Sequence, residues 1–166
     1  MHLKMCQKNK IKNTNKNFTT LRRCNSSIFV LKSIMKKRVF LGGTCNGSNW
    51  RDLVMNKLEI DYFNPVVEYW TPEVQAEEIK QRAECDFVLY VITPKMTGFY
   101  AIAEVVDDSN KRPEKTIFCY KNEDGGQTFS EVQIKSLKAV AALVKGNGAT
   151  CLDSLADVIE FLNSKL

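Results

Sequence analysis

Apolar runs alternate with amphipathic stretches along most of the chain, and this alternation predicts its architecture. From Arg38 onward, short apolar runs typical of β-strands are followed by longer stretches whose apolar residues recur at helical spacing. The clearest strand is residues 87–92, FVLYVI, which is bounded by Asp86 and by the Thr-Pro pair at 93–94. Because this run has no polar position, it predicts a strand covered on both faces, as in parallel sheets.

The remaining elements follow from the same patterns. The predicted strands are residues 39–41, 61–67, 87–92, 116–120 and 149–151. The predicted helices are residues 49–58, 72–85, 99–109, 130–144 and 152–166. Strands that alternate with helices form right-handed βαβ units, so we predict an α/β fold with a parallel sheet of four or five strands and helices on both faces. Ligands bind beyond the carboxyl ends of such strands, where we expect the loops 42–49, 64–71 and 93–98 to meet.

Charge divides the chain into two parts. Residues 1–37 hold ten of the 24 basic residues and no acidic one, whereas residues 38–166 carry 14 basic and 19 acidic residues. We predict a basic, disordered leader at 1–34 and one folded domain at 35–166. A targeting segment and a natural start at Met35 are the alternatives for the leader. The acidic body does not favour nucleic-acid binding.

Composition narrows the chemistry. Six scattered cysteines without a CxxC pair fit a reducing compartment, so we expect a cytoplasmic protein, and no apolar run reaches the ~18 residues of a membrane span. The only histidine is His2. The body therefore has no Ser-His-Asp triad, no Cys-His dyad and no His-ligated metal. We expect no metal or cofactor, and acid–base chemistry must come from carboxylates, Tyr, Lys or Cys.

Three features are candidates for a site, and each has a purely structural alternative. The turn GGTCNGS at 42–48 follows the first strand and is either a ligand-binding turn or a tight connection. Glu104 lies on the polar face of the helix at 99–109 and is either a solvated glutamate or part of a site near the preceding loop. Trp70 either stacks on a ring of the ligand or covers the following helix.

Residues 36–122 resemble the nucleoside 2-deoxyribosyltransferase-like family. The resemblance rests on short motifs in the same order: FLGGT at 40–44, NPV at 64–66, WTPE at 70–73, CDFVLY at 85–90, TG at 97–98 and AEV at 103–105. It implies a flavodoxin-like sheet and an enzyme that transfers 2-deoxyribose between bases or hydrolyses N-glycosidic bonds of deoxynucleosides or deoxynucleotides. It also implies a small-molecule substrate and a homo-oligomer.

The resemblance assigns roles to individual residues. Glu104 would be the nucleophile that forms a glycosyl-enzyme, and Asp86 would protonate or hold the base; paired carboxylates suit such chemistry and need no histidine. The implied substrate-binding residues are Gly42, Gly43, Thr44, Asn46, Asn64, Trp70, Thr97 and Gly98.

The chain departs from the family pattern at two places. Phe40 stands where a first-strand tyrosine is common, and the loop TPKM at 93–96 lacks an aspartate that the transferases supply there. These departures leave room for a hydrolase, an altered substrate or a non-catalytic nucleotide-binding module of the same fold. A glycohydrolase of NAD-type dinucleotides, which would need the same kind of glutamate, is a further alternative.

Overall fold

The computed structural model describes residues 36–166, so the leader predicted at 1–34 lies outside the described residues. This part of the chain contains seven strands: β1 Arg38–Gly43, β2 Asp61–Phe63, β3 Phe87–Ile92, β4 Thr116–Tyr120, β5 Glu123–Asp124, β6 Gln127–Thr128 and β7 Thr150–Leu152. Five helices alternate with them: α1 Trp50–Met55, α2 Pro72–Glu84, α3 Tyr100–Lys111, α4 Glu131–Gly146 and α5 Leu155–Asn163.

Five of the strands form one parallel sheet in the order β2-β1-β3-β4-β7, which confirms the predicted flavodoxin-like α/β fold. The chain moves outward from β1 to β2 and then crosses back to β3 on the other side of β1. The strand order therefore reverses between β1 and β3, and a crevice opens beyond their carboxyl ends at this point.

Alternate residues of a strand point to opposite faces of the sheet, and both faces of the central strands are apolar. Helices therefore pack on both faces. One apolar cluster joins Leu41 and Leu89 of the strands to Trp50 of α1 and Leu162 of α5. The other joins Phe40, Tyr90 and Phe118 to α3 and α4, through residues that include Val105, Leu137 and Val144. The central strands β1, β3 and β4 contribute to both clusters, which explains why their sequences are almost wholly apolar.

Two predicted segments differ in the structure. The second strand ends at Phe63, and Val66 and Val67 lie in the following loop with 39% and 45% of their surface exposed. Pro65 explains the early end, since it lacks the N–H that a continuing strand would donate. The predicted loop at 122–126 contains part of a short antiparallel hairpin, β5-β6, which turns through Gly125 and Gly126 at positive φ.

Among residues 36–166, no helix combines the length and the apolar character needed to cross a membrane.

Candidate functional site

A cavity of about 240 Å³ opens beyond the carboxyl ends of β1 and β3, at the point where the strand order reverses. We call it the strand-end pocket. Eight of the residues predicted for the site line it: Gly42, Gly43, Thr44, Asn46, Trp70, Thr97, Gly98 and Glu104. Seven others complete the lining: Cys45, Arg51, Pro65, Glu78, Met96, Tyr100 and Ala101. The structure thus brings most of the predicted residues into one cavity.

The glycines at the end of β1 let the turn approach β3 closely. Gly43 has φ of 110°, and a Cβ atom there would lie 2.1 Å from the carbonyl oxygen of Val91. The next residue, Thr44, donates its N–H to the same oxygen at 2.9 Å and accepts the N–H of Thr93 on its hydroxyl, also at 2.9 Å. A side chain at position 43 would displace this turn, which forms one wall of the pocket.

Arg51 of α1 holds the turn from below, and no sequence pattern singled it out. Its buried guanidinium donates to the carbonyl oxygens of Leu41, Thr44 and Gly43 at 3.0, 2.6 and 3.2 Å. Trp50 adds a hydrogen bond from its indole nitrogen to the carbonyl of Thr44 at 2.8 Å. Burial lowers the pKa of Arg51, although the neighbouring Cys45 works in the opposite direction.

Glu104 is held in the pocket wall rather than solvated. Its side chain is only 10% exposed, and its Oε1 accepts a hydrogen bond from Nη1 of Arg82 at 2.6 Å. Burial raises its pKa to about 7; Arg82 opposes this shift, while the negative charges of Glu78 and Asp108 reinforce it. Near neutral pH, Glu104 therefore exchanges between its acid and its carboxylate form.

Arg82 connects Glu104 to a second carboxylate behind it. The guanidinium binds Asp108 through Nε at 3.2 Å and Nη2 at 3.0 Å. Asp108 is fully buried and also accepts the hydroxyl proton of Tyr90 at 2.6 Å and lies 3.0 Å from Nη2 of Arg112. We call these five residues the Arg82 network. Two acidic and two basic side chains are present, so the network is electrically balanced when Glu104 is ionised.

Glu78 is a second pocket carboxylate that sequence reasoning missed. It lies one turn before Arg82 on α2, is partly exposed and lines the strand-end pocket. Burial raises its pKa, and the charges of Arg82 and Arg51 oppose the shift. Several glutamates share the charged sequence of α2, so only the i, i+4 spacing from Arg82 could have singled this one out.

Exposed aromatic side chains lie at the mouth of the pocket. Trp70 and Tyr100 both line it, with 59% and 71% of their surface exposed. Such side chains offer flat faces on which a heterocyclic ring can stack. On the polar side, the amide of Asn46 donates to the hydroxyl of Thr97, so the loops after β1 and β3 are joined across the pocket.

The pocket therefore combines two carboxylates of raised pKa, a polar bridge and an aromatic mouth. Residues 36–166 contain no cluster of three or more His, Cys, Asp or Glu side chains arranged to hold a metal ion.

The model of the nucleoside 2-deoxyribosyltransferase-like family matches residues 36–122, which is more than half of the chain. The chain belongs to this family. A comparison with curated proteins gave no match.

One residue that the family resemblance selected does not reach the pocket. Asp86 lies before β3, at the opposite edge of the sheet from the pocket, and the six residues of β3 separate the two edges by about 20 Å. Its carboxylate accepts the N–H of Arg38 at 2.9 Å and binds Lys37 at 3.2 Å. Partial burial opposes ionisation, yet these partners hold its pKa below the usual range. The geometry fits a carboxylate that joins β1 to β3.

Asn64 lies beside the pocket rather than in its wall. It borders a smaller cavity of about 120 Å³, which shares Pro65 and Glu78 with the strand-end pocket. Its side-chain oxygen accepts the N–H of Val66 at 3.2 Å, so its main contact shapes the loop after β2.

Phe40, which replaces the tyrosine common in the family, is fully buried and stacks on Phe63 with ring centroids 5.8 Å apart. A phenol is nevertheless present on the same face of the sheet, because Tyr90 of the neighbouring strand packs in the same cluster. Its hydroxyl reaches Asp108 rather than Glu104. The nucleophile candidate is consequently held by an arginine instead of a tyrosine.

Proposed function

We propose that this protein cleaves the N-glycosidic bond of 2-deoxynucleosides or their monophosphates by way of a glycosyl-enzyme on Glu104. The observation that carries the proposal is the convergence of Glu104 and Glu78 on one strand-end pocket of a chain that belongs to this family. Enzymes that cleave glycosidic bonds with retention commonly use two carboxylates at the scissile bond, of which one acts as nucleophile and the other transfers protons.

In the first step, an oxygen of Glu104 bonds to C1′ while the bond from C1′ to the base nitrogen breaks. The electron pair of that bond leaves with the base, which takes a proton from Glu78. Burial raises the pKa of Glu78, which brings it nearer to neutral pH and makes this carboxyl group a better proton donor than an exposed glutamate.

In the second step, a nitrogen of another base or a water molecule attacks C1′ and releases the carboxylate of Glu104. The attacking group gives its proton to Glu78, which returns to its starting state. Trp70 and Tyr100 would stack on the base, and Asn46 and Thr97 would bind the sugar hydroxyls.

The test is to incubate the protein with each deoxynucleoside and its 5′-monophosphate, with and without a second free base, and to separate the products. A swapped nucleoside indicates a transferase, and a free base alone indicates a hydrolase. We expect Glu104→Gln to lower the rate about 10⁴-fold or more, the scale of losing a covalent nucleophile. Products that form equally fast with Glu104→Gln would contradict the proposal.

The role of Glu78 has a matched control on the same helix. Glu78→Gln is expected to slow release of the base by about 10²–10⁴-fold, as for a lost general acid. Glu84→Gln removes an exposed carboxylate of α2 outside the pocket and should leave the rate unchanged. Equal effects of the two variants would exclude Glu78 as the acid.

A non-catalytic nucleotide-binding module is the second candidate function. Arg82 occupies one oxygen of Glu104, and Phe40 supplies no hydroxyl, so the same pocket could bind a nucleotide without reacting with it. This candidate predicts that deoxynucleotides raise the thermal stability of the protein while no free base forms. Incubation with NAD adds a further arm, since release of nicotinamide would indicate a dinucleotide glycohydrolase.

A further inference from the structure

The two carboxylate oxygens of Glu104 differ in their hydrogen bonds. Oε1 accepts a charge-assisted hydrogen bond from Arg82 at 2.6 Å. Among residues 36–166, no side chain or backbone group donates a hydrogen bond to Oε2. Oε2 is therefore the less engaged of the two oxygens and the better placed to bond to a reacting carbon.

Arg82 itself has little freedom to move. Its side chain is 10% exposed, and Asp108 holds it through two nitrogens. Asp108 is fixed in turn by the Tyr90 hydroxyl at 2.6 Å and by Arg112 at 3.0 Å. Because Asp108 is fully buried, water does not compete for these contacts.

We infer that Arg82, oriented by Asp108 and Tyr90, is a positioning residue that keeps Oε1 of Glu104 engaged, directs Oε2 to the substrate and stabilises the carboxylate when it is released. The inference rests on the proposed function. It assigns parts of the reaction to Arg82 and Asp108, which lie outside the short motifs of the family, and to Tyr90, which lies at the end of the motif CDFVLY.

The release step follows from charge balance. When Oε2 forms an ester with C1′, Glu104 loses its charge and the network keeps the positive charges of Arg82 and Arg112 against Asp108 alone. Breaking the ester bond to C1′ returns its electron pair to Oε2, and the guanidinium at Oε1 stabilises the negative charge that develops. A donor that is already in place where charge develops lowers the barrier of that step.

Several other charged or titratable groups lie around Glu104 and would contribute to its titration. Glu78 faces it from α2, Asp108 and Asp107 lie on its own helix α3, and the Tyr90 hydroxyl approaches from β3. Arg51 of α1 acts on Glu78 and so affects Glu104 indirectly. Arg82 is the group in direct contact, so its removal should dominate.

The test combines kinetics with the titration of Glu104, followed by the ¹³C signal of its labelled carboxyl group in the full-length protein. With Arg82→Met we expect this titration and the acid limb of kcat/KM to move upward by about 1–3 pH units, the usual effect of losing an opposite charge in contact. Above that limb, attack continues but release is slowed, so a burst of free base equal to the enzyme concentration should precede a slower steady rate.

Two further variants keep the test decisive. Tyr90→Phe removes only the hydroxyl behind Asp108, and it should shift both readouts in the same direction by a smaller amount even if Arg82→Met folds poorly. Lys135→Met removes a positive charge from the exposed surface of α4, which contributes no residue to the strand-end pocket, and should shift neither readout.

The possible failures are distinguishable. An active protein whose Glu104 titration and burst are unchanged in Arg82→Met and Tyr90→Phe overturns the inference and leaves the proposed function intact. Absence of product from every deoxynucleoside and deoxynucleotide with the wild-type protein overturns the proposed function, and the inference with it. A shift in Arg82→Met alone would overturn the part assigned to Tyr90.

Discussion

Glu104 shows how burial can outweigh an ion pair in setting the state of a carboxylate. The contact with Arg82 favours the ionised form, but the loss of water around a side chain that is 10% exposed is the larger effect. The result is a pKa of about 7 instead of the ordinary value near 4.5. A group with such a pKa is poised to act as a nucleophile at neutral pH without being permanently charged.

This pKa predicts the pH dependence of the reaction. Attack requires the carboxylate, so activity should fall as pH drops through about 7, where the native protein takes up the proton on Glu104. The measurement is kcat/KM for release of the base across the range from acid to mildly alkaline pH. An acid limb near 4.5 would show that Glu104 titrates like an exposed glutamate and would contradict the effect of burial on its pKa.

At the scale of elements, the end of β1 and the turn after it can form a wall of the pocket because Gly43 has no side chain. Gly43 lies against the backbone of Val91, whereas Gly47, a few residues later, has positive φ but open space around it, with nothing within 4 Å of where a Cβ atom would lie. The two glycines therefore separate the effect of close approach from the effect of backbone conformation.

Gly43→Ala should destabilise the protein by clearly more than the about 1–2 kcal/mol of a left-handed residue alone and abolish substrate binding, because β1 and β3 must also move apart to admit the methyl group. Gly47→Ala carries only the conformational penalty of about 1–2 kcal/mol for a left-handed residue, and it should retain binding. Urea denaturation and nucleotide-induced thermal shifts give both quantities. Equal loss of binding in the two variants would show that close approach is not what matters.

Helix α2 brings Glu78 and Arg82 to the pocket, and its start is fixed by Thr71. The hydroxyl of Thr71 accepts the N–H of Val74 at 3.3 Å, and Pro72 occupies the first helical position. Both features are typical of a helix N-terminus and were visible in the sequence.

Thr71→Ala is expected to cost about 1 kcal/mol and to lower kcat/KM as well, because a frayed α2 would loosen Glu78 and Arg82. Ser154 caps α5 in the same way, with the N–H of Asp157 at 3.2 Å, but α5 carries no pocket residue. Ser154→Ala should therefore cost a similar amount of stability with unchanged kcat/KM. If both variants lose kcat/KM in proportion to their loss of unfolding free energy, then Thr71 does not act on the pocket through α2.

At the scale of the whole molecule, the sheet was predictable because each strand is marked by the residues of its own short segment. Unbroken apolar runs such as β3 and the alternation with helices determine a parallel sheet, and the order of elements places the crevice at the ends of β1 and β3. The hairpin β5-β6 was missed because its four strand residues, ED and QT, contain no apolar alternation.

The site was predictable only in part, for a physical reason. Helical periodicity placed Glu104 on a polar face, but the contact with Arg82 spans 22 residues of sequence and depends on how α2 and α3 pack. Arg51 and Glu78 escaped notice for the same reason. The position of Asp86 outside the pocket, by contrast, was predictable from the sequence, since a residue that precedes a parallel strand lies at the end of the sheet opposite the crevice.

A glycosyl-enzyme on Glu104 can be detected by quenching the protein in acid during turnover of a deoxynucleoside or its monophosphate and measuring its intact mass, followed by peptide mapping. We expect a population heavier by one deoxyribosyl unit, or its phosphate, with the added mass on Glu104 and absent from Glu104→Gln. Free base that accumulates with no adduct on the protein, or an adduct on another residue, would contradict the proposed mechanism.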